Sequence, residues 1–149
     1  MTRLVEATMD VLGLTLNTFE DGGTDYVVVQ TCVNGNSLVS FRTYATDLDA
    51  LIKSVEEKGE FFILTCWCGS PGCAGIGHGI RVFHEAGRIH WHVPEPLPPR
   101  DFVFSREGIQ SALTALRKDI KRFVAERTYS NNIPYEVTPM DNKAYFNLG

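Results

Sequence analysis

The chain predicts an α+β fold, and three features carry that prediction. Leu12, Leu14 and Leu16 alternate with polar or small residues, an Asn34-Gly35 pair separates two strand-like runs, and an apolar stripe of helical period runs from Ile109 to Val124. Together they describe an antiparallel sheet, an N-terminal meander plus a second hairpin, packed by a short helix and a long C-terminal amphipathic helix. A length of 149 residues suits a single domain over 1–149 with a real core. The apolar fraction of 44% and charged fraction of 21% are those of an ordinary globular chain, and no run is long and apolar enough to span a bilayer. MTRLVEATMD at the start lacks the apolar core of a signal peptide, so a cytoplasmic setting is expected. Cysteines in that setting are more often reduced, metal-bound or catalytic than disulfide-linked.

Taken in order, residues 10–19 read as a half-buried strand, Glu20-Asp21-Gly22-Gly23 as a turn, and Tyr26 to Val33 as a β-branched strand. A type I′ turn at Asn34-Gly35 then places Val28 opposite Phe41, Gln30 opposite Val39 and Cys32 opposite Ser37. Cys32 is thereby expected as a small core residue. Thr46 is the expected N-cap of a short helix whose stripe is Leu48, Leu51, Ile52 and Val55, with Gly59 ending it. Phe61 to Thr65 reads as one buried strand. Ile80–His84 and Ile89–Val93, joined through Ala86-Gly87, form a hairpin with Val82 opposite Trp91. Its core side is Ile80, Val82, His84, Ile89, Trp91 and Val93; Arg81, Phe83, His90 and His92 face outward. Pro94 to Pro99 is a stiff connector, followed by an edge strand at Asp101–Phe104. Ser105 caps the long helix, Arg106 to about Arg127, whose Gly108 costs about 1 kcal/mol against alanine. The apolar residues Ile133, Tyr135, Val137, Tyr145 and Phe146 imply that the tail docks on the body or on a partner.

Chemistry concentrates in CWCGSPGCAGIGHGIRVFHEAGRIHWH, residues 66–92, which holds three of the four cysteines and all four histidines. Residues i and i+2 of an extended segment point to one side, so Cys66 and Cys68 aim at a common point. The glycine-rich turn can bring Cys73 back to it, because glycine accepts positive φ without steric cost. His78 follows in the same loop. Cys66, Cys68, Cys73 and His78 in the spacing C-x-C-x4-C-x4-H form a Cys3His ligand set, the donors that suit a structural zinc site. Four protein ligands leave no open position for substrate.

Other readings are poorer in residues. A zinc deaminase needs H-x-E before P-C-x-x-C, and here His84-Glu85 is adjacent and follows the cysteines. A Cys73 nucleophile with a His78 base lacks an orienting carboxylate in the sequence. Residues 1–60 carry ten acids against four bases, and the net charge is −4, a balance that disfavours nucleic-acid binding and suits a basic protein partner. Arg117, Lys118, Lys121 and Arg122 gather on the back of the long helix. They read either as a phosphate patch or, as preferred here, as cations drawn to the negative helix end.

The run LTCWCGSPGCAGI, the G-x-I-x-W pattern at Gly87–Trp91 and the following amphipathic helix resemble a group of small, largely uncharacterised bacterial proteins with a C-x-C-G-x-x-G-C-x-G core and a tryptophan strand. The resemblance covers the middle and C-terminal two-thirds of the chain. It implies a bacterial cytoplasmic protein and no catalytic residues. Small acidic α+β proteins of this kind look like immunity or antitoxin proteins. The expected function is therefore a non-enzymatic protein-binding module with a structural zinc knuckle, its partner a basic toxin. The alternative is a thiol- or metal-dependent enzyme centred on Cys66, Cys68, Cys73 and His78.

Overall fold

The alternating leucines lie in β1 (Leu12–Asp21), where Leu12 and Leu14 are buried. A two-glycine turn, Gly22-Gly23, both at positive φ, returns the chain as β2 (Thr24–Val33) in antiparallel register from Leu12 opposite Val33 to Asp21 opposite Thr24. This is a computed structural model, describing residues 9–41, 43–130 and 134–147. Residues 1–8, Ile133 and the last two residues of the tail lie outside that description, and with them most of the segment read for a signal peptide.

Asn34 and Gly35 adopt φ of 54° and 81°, the type I′ geometry, and Cys32 faces Ser37 as the register predicts. The expected meander stops there. β3 is only Asn36–Ser37, and Val28 is opposite Thr138, not Phe41. The lane beside β2 is taken by β10 (Glu136–Thr138), a parallel strand from the chain's far end. Cys32 is correspondingly half-buried rather than a core residue. The face it shares carries Gln30, whose amide bonds Asn17 and Ser37, each at 2.7 Å.

β4 (Ala45–Thr46) precedes α1 (Leu48–Glu56). The cap is Asp47, whose carboxylate accepts the Ala50 N–H at 3.1 Å, and not Thr46. Thr46 is fully enclosed, with its hydroxyl 2.6 Å from that of Thr31. Burial raises the Asp47 carboxyl above its ordinary value, against the Ala50 N–H that lowers it. The helix closes on Glu57 in extended conformation, and Gly59 instead opens β5 (Gly59–Phe61). The apolar run FFILT is not one strand. β5 pairs with the hairpin, while β6 (Leu64–Thr65) pairs with β4, and fully buried Ile63 lies at the crossing between two sheets.

The second sheet has the order β5-β7-β8-β9, all antiparallel, with β7 Ile80–Glu85, β8 Arg88–Val93 and β9 Arg100–Ser105. Val82 is opposite Trp91 across the predicted Ala86-Gly87 turn. Trp91 packs edge-on against Phe104 at 4.9 Å, both fully buried. α2 (Arg106–Ser130) starts where the Ser105 hydroxyl accepts the Gly108 N–H at 2.9 Å. A Cβ on Gly108 would lie 2.7 Å from that hydroxyl, so the glycine makes room for the cap. Ile109, Leu116 and Ile120 bury the predicted stripe, and the helix packs across β1.

The tail docks on the body. After β10, a 3-10 helix at Met140–Phe146 inserts Phe146 into the core. Asn142, fully buried, accepts the Leu48 N–H at 3.0 Å and donates to the Thr46 carbonyl at 2.7 Å, fastening the tail to the start of α1. Leu12, Val29, Leu51, Trp91, Ile109 and Phe146 belong to one continuous hydrophobic cluster. Among the described residues no helix is long and apolar enough to cross a membrane.

Candidate metal centre

The cysteine knuckle leaves the body where β6 ends. A turn closes from the Gly69 N–H to the Cys66 carbonyl at 2.9 Å, and Pro71–Ala74 makes one 3-10 turn entered from Ser70. Proline suits that first position because its fixed φ is already helical and its missing N–H is not needed there. The Cys73 N–H reaches the Ser70 carbonyl at 3.1 Å, and the Ile76 N–H reaches the Pro71 carbonyl at 3.1 Å. Two side chains pin the knuckle to the body. Ile76 is buried in the core cluster. Trp67 stacks on Phe19 of β1 at 4.3 Å and donates its indole N–H to the Phe41 carbonyl at 2.9 Å.

The outcome is that the Sγ atoms of Cys66, Cys68 and Cys73 lie within 4.8 Å of one another, close enough to bind a metal. Cys66 is half-buried; Cys68 and Cys73 are exposed. The Ser70 N–H, then the thiols of Cys73 and Cys66, hold the Cys68 thiol below its ordinary value. Its neighbour Cys68 pushes Cys73 up, the Ser70 hydroxyl opposing. Of this pair Cys68 is therefore the thiol that gives up its proton more readily.

The group that converges is Cys66, Cys68 and Cys73; His78, the fourth residue of the expected ligand set, is not in it. The N–H groups of Gly77 and His78 both donate to one Glu95 carboxylate oxygen, at 2.7 and 2.8 Å, and this clamp draws the loop toward the proline connector. Those two N–H groups, His78's first, hold the Glu95 carboxyl below its ordinary value. Gly79 ties the same loop to β5: its N–H donates to Glu60 at 2.7 Å, and a Cβ there would lie 2.9 Å from the Phe61 backbone. The other imidazoles are engaged elsewhere. His84 bonds the Ser54 carbonyl at 2.8 Å, His90 contacts Glu85 at 3.0 Å and stacks on Phe83, and His92 contacts Asp101 at 2.7 Å.

Beside the thiols lies a cleft of about 590 Å³, lined among others by Tyr26, Trp67, Cys68, Met140 and Asp141. The Asp141 carboxylate sits 3.5 Å from where a Cβ of Gly69 would be, so the tail places an acid against the knuckle. Sequence spacing drew attention to the cysteines but not to Trp67, Glu95 or Asp141. The one available signal was Trp67 itself, a large aromatic between two ligand candidates. Comparison with protein families, curated proteins and solved structures returns no match for this chain.

Proposed function

We propose that the protein is a zinc-dependent protein-binding module in which Cys66, Cys68 and Cys73, as thiolates, hold one Zn²⁺ at the surface. The observation that carries this reading is the approach of the three sulfurs to within 4.8 Å. Zinc suits them because thiolates are its preferred soft donors and a d¹⁰ ion imposes no geometry that the loop must meet. Three protein ligands leave the fourth position to water or to a donor from a partner. Binding releases protons from the thiols, so affinity rises with pH. A basic partner of the immunity-protein kind is favoured by the ten acids against four bases in residues 1–60.

Metal analysis of the purified protein tests the reading. About one zinc per chain is expected, lost in Cys73→Ser, and cobalt substitution should give the strong thiolate charge-transfer absorption of a sulfur-rich site. A wild-type protein that takes up no zinc, or a Cys73→Ser protein that keeps it, refutes the site. Recovery of no protein partner from the native host refutes the binding role.

A second reading, a metal-dependent enzyme, is favoured by one observation: Cys68 and the carboxylate-bearing Asp141 line one cleft. Asp141→Asn separates the two. It abolishes turnover in an enzyme that uses this carboxylate as a base, and leaves zinc content and partner binding intact in a module.

A further inference from the structure

The long helix has a second distinctive face. Thr114, Arg117, Lys118 and Lys121 lie at i, i+3, i+4 and i+7, so their side chains share one side of α2. With Ala144 and Tyr145 of the C-terminal 3-10 turn they line a cleft of about 470 Å³. Attraction to the negative helix end does not account for them. α2 continues to Ser130, nine positions beyond Lys121, and the dipole's influence is confined to the last turn.

Nor are these cations balanced within the fold. Among the described residues neither Arg117, Lys118 nor Lys121 is in an ion pair, whereas neighbouring Arg122 has Asp119 at 3.7 Å. Arg117 and Lys121 are like charges one turn apart, which repel and weaken a helix. In a chain with 18 acids against 14 bases, three free cations in one concave place form a local exception. The Tyr145 hydroxyl is engaged with Asp49, so the ring serves as a wall of the cleft. The small Ala144 leaves the space open, and the Thr114 hydroxyl adds a neutral donor.

We propose that the cleft between α2 and the C-terminal 3-10 turn binds a small phosphate-bearing ligand through Arg117, Lys118 and Lys121. The guanidinium offers a planar fork to phosphate oxygens, and the two ammonium groups supply point charge. The volume suits a small molecule. A nucleic-acid chain is the poorer fit, since a polyanion must also pass the acidic remainder of the surface.

Calorimetric titration with pyrophosphate at low salt, with inorganic phosphate and a single-stranded oligonucleotide as parallel probes, tests this. Pyrophosphate is expected to bind the wild type, and Lys118→Gln/Lys121→Gln to weaken it by about tenfold or more. Glutamine matches lysine in helix propensity, and both positions are exposed, so circular dichroism should report an intact fold. Cys73→Ser should bind pyrophosphate as the wild type does, which separates this site from the zinc reading. Absence of pyrophosphate binding at millimolar concentration overturns the proposal. So does equal binding by the double variant, or tighter binding of the oligonucleotide.

Discussion

The knuckle at residues 66–79, with three cysteines and His78, and the hairpin at 80–93, with His84, His90 and His92, adjoin in sequence yet are held by opposite means. In the hairpin Ile80, Val82, Ile89, Trp91 and Val93 are buried in alternation, and Val82 and Trp91 pair across it within the core. Its histidines are satisfied by α1 and the neighbouring strands: His84 by the Ser54 carbonyl, His90 by Glu85 and His92 by Asp101. The knuckle buries Ile76 alone among its loop residues before Gly79, and otherwise rests on turn hydrogen bonds, on the Trp67 stack and on the Glu60 and Glu95 clamps. One segment carries its own stability; the other carries a geometry that a cation can complete. Residues of metal-binding type are therefore uninformative by themselves; what sets the three cysteines apart is that their sulfurs converge.

The largest test of this contrast is Trp91→Ala. It should cost about 3–5 kcal/mol in denaturant unfolding, since a fully buried indole packed on Phe104 leaves a large cavity. Zinc comes next. At about a hundredfold excess over Kd it should raise wild-type stability by about 2.7 kcal/mol and leave Cys73→Ser unmoved, while His90→Ala/His92→Ala responds as the wild type does. Gly79→Ala should cost about 1–3 kcal/mol, because the added methyl meets the Phe61 backbone at 2.9 Å and cannot be absorbed by side-chain motion. A wild-type response to zinc in Cys73→Ser would break the contrast.

The smallest effect concerns pH. Glu95 titrates below its ordinary value because its carboxylate accepts the His78 and Gly77 N–H groups. The clamp is thus fully formed above the unfolded carboxyl value and is lost as pH falls through the folded one. Amide exchange should show Gly77 and His78 protected at neutral pH relative to Glu95→Gln, with the difference vanishing in acid. Equal protection of the two proteins at neutral pH would remove the clamp from the account.

Much of the fold is legible because it is periodic. The leucines of β1, the alternation of β7 and β8, and the stripe of α2 each report a buried face, and Asn34-Gly35 reports its turn. The errors arise where a distant segment decides. Val28 is opposite Thr138 because the tail takes the lane reserved for Phe41. Thr46 yields the cap to Asp47 because Thr31 and Asn142 engage it. FFILT divides because its two ends find different partner strands. At the site, local spacing sufficed for three cysteines whose turn is local. The hold on the backbone of the His78 loop was not legible locally, because it comes from a carboxylate 17 residues on.

The parallel strand β10 has a consequence for handling and turnover of the protein. Its three residues shield the amide and carbonyl groups along Tyr26–Val28 from other molecules. Proteolytic trimming ahead of Glu136 would bare that flank together with fully buried Val27 and Val28, giving a template to which a stray strand can add. Clipped material should therefore self-associate before it unfolds.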